Sequence, residues 1–236
     1  MPVVSIDGKK KEFLGGLYRE GKLWIHRDDG ELMRWDHDFP FLAEGKVTPF
    51  GIYDLARNSG MVVVGESSES ARFVVDCLRI WWNRRGRFDY PQSRELIVLA
   101  DCGGGCSYRC HLFKEQLQKF ADGSGLVIRI AHFPPGCSKW NYIEHRLFPH
   151  VTRAMQGTVF ETHEQVCELI GRATTATGLE VRACVKRGEY PTGEKVSAGY
   201  HQSPPAIHLE TLSHLNYYFV PSSQIADWMP HIALAN

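Results

Sequence analysis

Three acidic residues stand at positions from which they could act together. Asp7 and Asp101 each end a short apolar run, and Glu144 lies on a segment of helical periodicity that follows a third run. Ligand sites of open α/β sheets form outside the carboxyl ends of the strands, so Asp7 and Asp101 would meet if their strands are neighbours. Spacing along the sequence does not by itself establish that they do.

A cluster of three carboxylates would be suited to a divalent cation. Like charges held together repel one another unless a cation neutralises them, and oxygen ligands with room for water suit Mg²⁺ or Mn²⁺. Two such ions about 4 Å apart can stabilise the attacking and leaving oxygens of a phosphodiester displacement. The ordinary alternative is that each acid is a solvated residue at a strand end, since acids are mostly exposed.

The strands that would position these acids can be read from apolar runs. Short stretches of β-favouring residues predict strands at about 3–6, 49–56, 61–66, 96–100 and 126–131. The Arg57-Asn58-Ser59-Gly60 sequence suits a tight reversal, so the second and third strands should form a hairpin. The fourth strand is almost continuously apolar, which is typical of a strand covered on both faces.

Helices are indicated between and after these strands. Apolar residues at helical spacing predict amphipathic helices at about 70–82 and 112–121. After Pro134-Pro135-Gly136, Ser138 is a candidate N-cap for a helix that presents an apolar face made of Trp140, Ile143, Leu147 and Val151. A last helix opens with a capping-box pattern at 162–165 and should end near Gly178.

Two regions show no steady periodicity. Residues at about 21–46 are interpreted as an irregular insertion, and those from 179 to 236 as a C-terminal ribbon and tail. The expected organisation is therefore one α/β domain at 1–178 followed by this extension.

Composition narrows the class of protein. The chain has 236 residues, 43% hydrophobic and 23% charged, which is typical of one globular domain or two small ones. Its longest apolar runs are too short for a membrane span, and its start lacks the pattern of a secretory signal. Seven cysteines are an odd number that does not suggest a disulfide framework. We therefore expect a cytoplasmic protein without a membrane partner.

Four sequence motifs carry a family resemblance. They are Ser5-Ile6-Asp7-Gly8-Lys9-Lys10-Lys11-Glu12, Tyr53-Asp54-Leu55-Ala56-Arg57-Asn58, Ala100-Asp101-Cys102-Gly103-Gly104-Gly105, and the long stretch from His132 to Phe148 that contains Trp140-Asn141-Tyr142-Ile143-Glu144-His145. Together they resemble the DDE catalytic domain of bacterial ISAzo-type insertion-sequence transposases, in the mariner-like superfamily. The resemblance extends from about residue 3 to about residue 218.

The resemblance implies a fold, a site and a reaction. The fold would be ribonuclease-H-like, a mixed five-stranded sheet flanked by helices, in which the first and fourth strands are neighbours. By motif, Asp7, Asp101 and Glu144 would be the acidic triad that ligates two Mg²⁺ or Mn²⁺ ions. The implied reaction is DNA cleavage followed by strand transfer, with transposon ends and target DNA as partners and a homo-oligomer in the DNA complex.

Other polar residues are weaker candidates for DNA contact. Asn141 and His145 could orient a ligand or touch phosphate, or could belong to the helix surface or to hydrogen bonds inside the domain. Lysines near the acids could bind the DNA backbone or form a solvated face, and arginines late in a helix also favour its dipole. The full set is Lys9, Lys10, Lys11, Lys139, Asn141, His145, Arg84 and Arg85.

The cysteines and glycines near Asp101 have simpler readings than they first suggest. Cys102, Cys106 and Cys110 are spaced by four, unlike the paired CxxC motif of structural zinc sites. The Gly103–105 run lacks the Lys and Ser or Thr of a P-loop, so close backbone packing beside Asp101 is the better interpretation.

Full-length relatives carry a helix-turn-helix region before the catalytic domain, so the resemblance implies a catalytic fragment without that module. Lys plus Arg and Asp plus Glu both number 27, and the neutral balance fits this expectation. Two other functions stay open at this stage. One is a catalytically idle transposase remnant that binds DNA or a transposase subunit, and the other is a ribonuclease-H-like nuclease outside transposition.

Overall fold

The computed structural model describes residues 1–17, 21–22, 26–29, 41, 43–200 and 206–228. Most of the expected irregular insertion at 21–46 lies outside the described residues. At its end, Gly45 and Lys46 already belong to a strand, so irregular chain stops earlier than the sequence pattern indicated.

A mixed sheet forms the centre of the described chain. Its strands are β1 (Val3–Gly8), β2 (Glu12–Leu14), β3 (Gly45–Asp54), β4 (Ser59–Gly65), β5 (Glu95–Ala100), β6 (Val127–His132), β7 (Glu180–Lys186), β8 (Ile207–His208) and β9 (Asn216–Phe219). They are ordered β7-β4-β3-β1-β5-β6-β9-β8, while short β2 pairs with β3 off this path.

The five strands expected from the sequence are the middle of this sheet. β1 lies between β3, which is antiparallel to it, and β5, which is parallel. β4 is antiparallel to β3, and β6 is parallel to β5. The ribonuclease-H-like α/β arrangement is confirmed, with the first and fourth of these strands adjacent. The sheet is wider than five strands, because β7 extends one edge and β9 with β8 extends the other.

The helices cover both faces of the sheet. They are α1 (Ala71–Trp81), α2 (Arg87–Asp89), α3 (His111–Ser124), α4 (Tyr142–Arg146), α5 (Phe148–Met155) and α6 (His163–Gly171). Residues of α1 and α3 share one buried core with the sheet, and residues of α4, α5 and α6 share the other. Along β4, Val63 faces the first core while Val62 and Val64 face the second, as the alternation of a strand requires. None of the described helices has the length and apolar character that a membrane crossing needs.

Local signals for the ends of the helices are mostly confirmed. Ser70 caps α1 by accepting a hydrogen bond from the Phe73 amide, and Thr162 with Gln165 forms the expected capping box of α6. That helix ends at Gly171, before the expected Gly178. The hydroxyls of Thr174 and Thr175 instead bond to the backbone of residue 179, which offers the chain an alternative to further helical turns.

The single helix expected after Ser138 is broken into three pieces. A 3₁₀ turn at Ser138–Trp140 is followed by α4 and α5. Pro149 lies in the first turn of α5, where its missing N–H and its ring prevent α4 from continuing. Trp140 lies in the 3₁₀ turn that precedes α4 and is 65% exposed, so its expected place on the apolar face was wrong. Ile143, Leu147 and Val151 are buried as expected.

The region after residue 178 contributes to the central sheet. β7 runs parallel to β4 from the Ser59–Glu180 pair to the Gly65–Lys186 pair. β9 is antiparallel to β6 on the opposite half of the sheet. A boundary drawn at residue 178 would therefore cut through the hydrogen-bonded sheet.

Candidate active site

Asp7 and Asp101 lie at the carboxyl ends of the neighbouring central strands β1 and β5. β1 and β5 are parallel, with Ser5 opposite Leu99. Continued for two residues, this register brings Asp7 level with Asp101. The adjacency that sequence spacing left open is thus provided by the pairing of β1 with β5.

Glu144 reaches Asp7 from the helical layer. Ser5 and Asp7 are two residues apart, so both point to one face of β1, opposite to the face of Val4 and Ile6. α4 packs against β1 on that face. Glu144 lies close enough to Asp7 to raise the pKa of that carboxyl.

A buried polar network connects β1 to the start of α4. The Ser5 hydroxyl donates to Oδ1 of Asn141 and accepts from the Ile143 amide at 3.0 Å. Nδ2 of Asn141 donates to the Ile6 carbonyl at 3.0 Å and approaches Oδ2 of Asp7 at 3.5 Å. Asn141 is fully buried and makes hydrogen bonds inside the domain, which is one of the two roles left open by the sequence, while its contact with DNA stays a prediction.

Asp101 is held by its own backbone surroundings. Its Oδ1 accepts from the Gly103 amide at 3.0 Å. Its carbonyl is 2.7 Å from Nδ1 of His132, and Nε2 of that ring is 2.7 Å from the Tyr217 hydroxyl. A carbonyl can only accept, so the His132 proton is on Nδ1 and the Tyr217 hydroxyl donates to Nε2. Burial lowers the pKa of His132, which favours this neutral form.

Burial and the neighbouring acids perturb Asp7. The pKa of Asp7 is raised to about 8, first by burial and then by the negative charges of Asp101 and Glu144. The amide of Gly8 opposes the shift by donating to Oδ1 of Asp7 at 2.8 Å. Asp7 is therefore the central acid, because the charges of both Asp101 and Glu144 act on its carboxyl.

The side chains of the three acids are near one another but do not converge on a single ligand position. Among the residues the structure describes, no three His, Cys, Asp or Glu side chains form a ready-made metal-ligand group. A divalent cation would favour a closer approach, because it offsets the repulsion between carboxylates.

The three glycines after Asp101 allow close backbone packing, as expected. A β-carbon on Gly103 would lie 3.2 Å from Oδ2 of Asp101, and one on Gly105 would lie 2.9 Å from the backbone of Ser70. Gly104 has a φ of 54°, in the left-handed region that glycine adopts freely. The loop is thereby packed between the acid at the end of β5 and the start of α1.

Glu69 is a fourth acid at this edge that the sequence analysis missed. It directly precedes the N-cap of α1, and its carboxylate lies beside Gly8 and Gly104. Its pKa is raised by burial, with Lys11 lowering it and Asp101 raising it. No apolar strand precedes it directly and no motif includes it, so the only available indication was its place before a helix cap.

The lysines near the acids differ in availability. Lys9 is ion-paired with Glu12 at 3.4 Å and its side chain is only 8% exposed, which leaves it little access to a ligand. Lys10, Lys11 and Lys139 are exposed. Nζ of Lys139 stands 5.5 Å from the ring centroid of Trp140.

The remaining basic candidates lie elsewhere or are engaged. His145 is exposed, and its Nε2 contacts the carbonyl of Lys139. Arg84 is exposed on the π-helical turn at Trp82–Gly86, at the end of the sheet away from the acids. Arg85 forms ion pairs with Asp89 and Glu180, and these contacts stabilise the fold.

The cysteines around the site are free thiols that pack or hydrogen-bond inside the domain. Cys106 is buried, and burial raises its pKa well above the usual range. Sγ of Cys102 donates to the Phe133 carbonyl at 3.0 Å. Within the described part of the chain all seven cysteines are free, and none joins a metal-ligand group.

Comparison with known protein families gives one match over most of the chain. The sequence model of the family described as "Rhodopirellula transposase DDE domain" matches residues 1–221. No curated protein matches the chain. Two solved structures are similar. "Mos1 transposase paired-end complex with left transposon end" shows 16% identity and a TM-score of 0.47 over 70% of this chain and 45% of that one.

The second is "Crystal structure of the Mos1 mariner paired end complex with Mn", with 17% identity and a TM-score of 0.43 over 70% of this chain and 46% of that one. The chain thus spans less than half the length of these structures. The family match covers nearly the whole chain, which therefore belongs to this family of transposase DDE domains.

Proposed function

We propose that this chain catalyses metal-dependent DNA strand cleavage and strand transfer as the catalytic domain of an insertion-sequence transposase. The single observation that carries the proposal is geometric: the parallel pairing of β1 with β5 brings Asp7 level with Asp101, while α4, which carries Glu144, packs against β1. The three acids are more than 40 residues apart along a chain of this family.

The donor set fits Mg²⁺ or Mn²⁺. Asp7, Asp101 and Glu144 supply carboxylate oxygens only, at a partly exposed edge where water can complete the coordination. Burial and the negative charges of Asp101 and Glu144 raise the pKa of Asp7; a divalent cation would oppose this shift, and two ions would balance the acids more fully. When bound, such ions activate the attacking oxygen and stabilise the leaving oxygen of a phosphodiester.

The protein's own residues would orient these ligands. Asn141 and Ser5 fix the distance between β1 and α4, so they keep Asp7 and Glu144 facing each other. Gly103 and His132 hold the side chain and the carbonyl of Asp101. Placing the ligands before the substrate arrives lowers the reorganisation that the reaction requires.

DNA would approach over the exposed residues around the acids. Lys10, Lys11 and Lys139 are free to contact phosphates, and this contact is electrostatic and independent of sequence. Trp140 and Tyr142 are 65% and 47% exposed close to Glu144, where aromatic rings could stack on unpaired bases. Transposon ends and target DNA are the proposed substrates, bound by a homo-oligomer of the chain.

The test is nicking of supercoiled plasmid DNA by the purified chain with Mg²⁺ or Mn²⁺. We expect nicked circles that EDTA prevents, and a rate at least about a hundredfold lower for Asp101→Asn, because metal-based stabilisation is worth several kcal/mol. Asp122→Asn is the matched control, since Asp122 bonds to Gln118 and Ser222 at the far end of α3.

Plasmid that stays intact with both ions, in a preparation that is folded and binds DNA, would contradict the proposal and favour a non-catalytic remnant. Preferential cleavage of RNA/DNA hybrids over duplex DNA would instead indicate a nuclease outside transposition. Strand transfer is tested separately with an oligonucleotide carrying a free 3′ hydroxyl, which should become joined to the plasmid.

A further inference from the structure

Glu69 approaches the site from the opposite helical layer to Glu144. Glu144 belongs to α4, whereas Glu69 lies between β4 and α1, whose residues pack on the other face of the sheet. The two glutamates therefore bracket the strand ends that carry Asp7 and Asp101.

Two glycines make room for the Glu69 carboxylate. A β-carbon on Gly8 would lie 2.0 Å from Oε2 of Glu69, and a β-carbon on Gly104 would lie 2.9 Å from Oε1. At distances below 3 Å one of the two atoms must move, so a side chain at either position would shift the Glu69 carboxylate, which is the end of a flexible side chain. Gly8 directly follows Asp7, and Gly104 is three residues after Asp101. The backbone that positions the two aspartates thus also leaves room for the Glu69 carboxylate beside Gly8 and Gly104.

The carboxylate of Glu69 is left without a direct partner. No hydrogen bond or ion pair joins it to another residue in the described part of the chain. Lys11 is near enough to favour its charge, and Asp101 near enough to oppose it. A partly buried carboxylate beside another acid is unfavourable unless something neutralises it.

Building on the proposed function, we propose that Glu69 is a fourth acidic residue of the divalent-ion site, on the side of Asp101. It supplies carboxylate oxygen to an ion held there, directly or through a bound water. This assigns each aspartate a glutamate neighbour: Asp7 has Glu144, and Asp101 has Glu69. Four carboxylates also match the charge of two divalent ions, whereas three do not.

The competing explanation is that Glu69 serves only to attract Lys11. The two roles differ in what each substitution does to ion binding. A ligand role predicts that loss of the Glu69 charge weakens ion binding and that loss of Lys11 does not, because a nearby positive charge opposes a cation. A role limited to Lys11 predicts that both substitutions act alike.

The experiment is a Mn²⁺ titration of the whole chain, followed by the electron paramagnetic resonance signal of free Mn²⁺, without DNA. We expect Glu69→Gln to weaken Mn²⁺ binding about tenfold or more, the effect usual for outer ligands of metal sites. Glu66→Gln is the matched control on the same segment, because Glu66 pairs with Arg187 outside the site. Lys11→Met should bind Mn²⁺ as well as the wild type or better.

The outcomes separate this proposal from the proposed function. If Asp101→Asn loses Mn²⁺ while Glu69→Gln binds it like the wild type, the role of Glu69 is refuted and the triad stands. If Asp101→Asn also binds Mn²⁺ normally, the metal-based function itself fails. A Lys11→Met variant as weak as Glu69→Gln would likewise overturn the role of Glu69.

The control for correct folding is the melting temperature of each variant without metal. Glu69→Gln removes a charge that Asp101 opposes, so its melting temperature in EDTA should equal or exceed that of the wild type. Should it melt lower, Glu69→Asp decides, because it keeps the charge on a side chain one methylene shorter. The proposal then requires tighter Mn²⁺ binding by Glu69→Asp than by Glu69→Gln, and equal binding would refute it.

Discussion

The two halves of the site are held in different ways. Asp7 and Glu144 are coupled by buried side-chain hydrogen bonds that join residues more than 130 positions apart, through Ser5 and Asn141. Asp101 instead begins a loop with three glycines, where the contacts go to backbone groups and to His132. One half depends on the packing of α4 against β1, and the other on the end of β5 and the conformation of its loop.

This difference indicates which half can adapt when a cation arrives. The Ser5–Asn141 network is fully buried and its groups are bonded, so moving α4 would break several hydrogen bonds at once. The Asp101 side chain is held by one amide at the start of an exposed stretch of loop. We expect ion binding to draw Asp101 toward Asp7, while Asp7 and Glu144 keep their relation.

Substitution at Asn141 should have the largest effect. Asn141→Ala leaves the Ser5 hydroxyl and the Ile6 carbonyl without their partner in a buried site and removes side-chain volume. We expect a loss of about 2–4 kcal/mol in the free energy of unfolding, measured by urea titration. Plasmid nicking should also fall in the fraction that remains folded, because Asp7 and Glu144 lose their fixed relation.

Asn83→Ala is the control for this loss, since Asn83 is exposed on the π-helical turn and its substitution should change stability by no more than about 0.5 kcal/mol. A stable Asn141→Ala protein with normal nicking would show that the buried network does not position the acids.

The raised pKa of Asp7 should make the stability of the folded chain depend on pH, with an effect comparable to that of Asn141→Ala. The pKa of Asp7 is about 8 in the folded, metal-free chain against 3.8 for the ordinary group. Between these values the folded state holds the extra proton, so stability is highest at low pH and falls as pH rises through the folded pKa. The contribution approaches about 1.4 kcal/mol per pH unit for one proton.

Melting temperatures in EDTA from pH 5 to pH 9 measure this contribution as the difference between wild type and Asp7→Asn. The difference should grow with pH in favour of Asp7→Asn and level off above about pH 8. Saturating Mn²⁺ should reverse it for the wild type alone. Parallel pH curves for the two proteins would show that the pKa of Asp7 is not raised in the folded chain.

Much of the scaffold followed from local sequence patterns. The strand before Asp7, the β3–β4 hairpin and the Ser70 cap depend on neighbouring residues, and all were expected. The break between α4 and α5 was missed, although Pro149 was visible, because helical spacing continued across it. Edge strands β7 and β9 could not be placed, since their partners lie far away in the sequence.

The candidate site divides in the same way. The three acids were found because each lies in or beside a recognisable motif. The roles of Asn141 and Glu69 depend on packing between distant elements, which no local pattern encodes. The sequence therefore left the role of Asn141 open between a ligand contact and a hydrogen bond inside the domain, and gave no indication of a role for Glu69, although both lie within one turn of a helix start.

The smallest effect is expected at Tyr217, which contacts Asp101 only indirectly, through His132. Tyr217→Phe removes only the hydroxyl that donates to His132, leaving Nε2 of a buried ring unbonded while its Nδ1–H still reaches the Asp101 carbonyl. We expect a loss of about 1 kcal/mol by urea titration, with Tyr218→Phe on the half-exposed face of the same strand as the control. Because the Asp101 contact survives, Mn²⁺ affinity should change less than in Asn141→Ala. Equal losses of Mn²⁺ affinity in the two variants would mean that both halves are positioned with the same rigidity, and Asp101 would then not be the adaptable ligand.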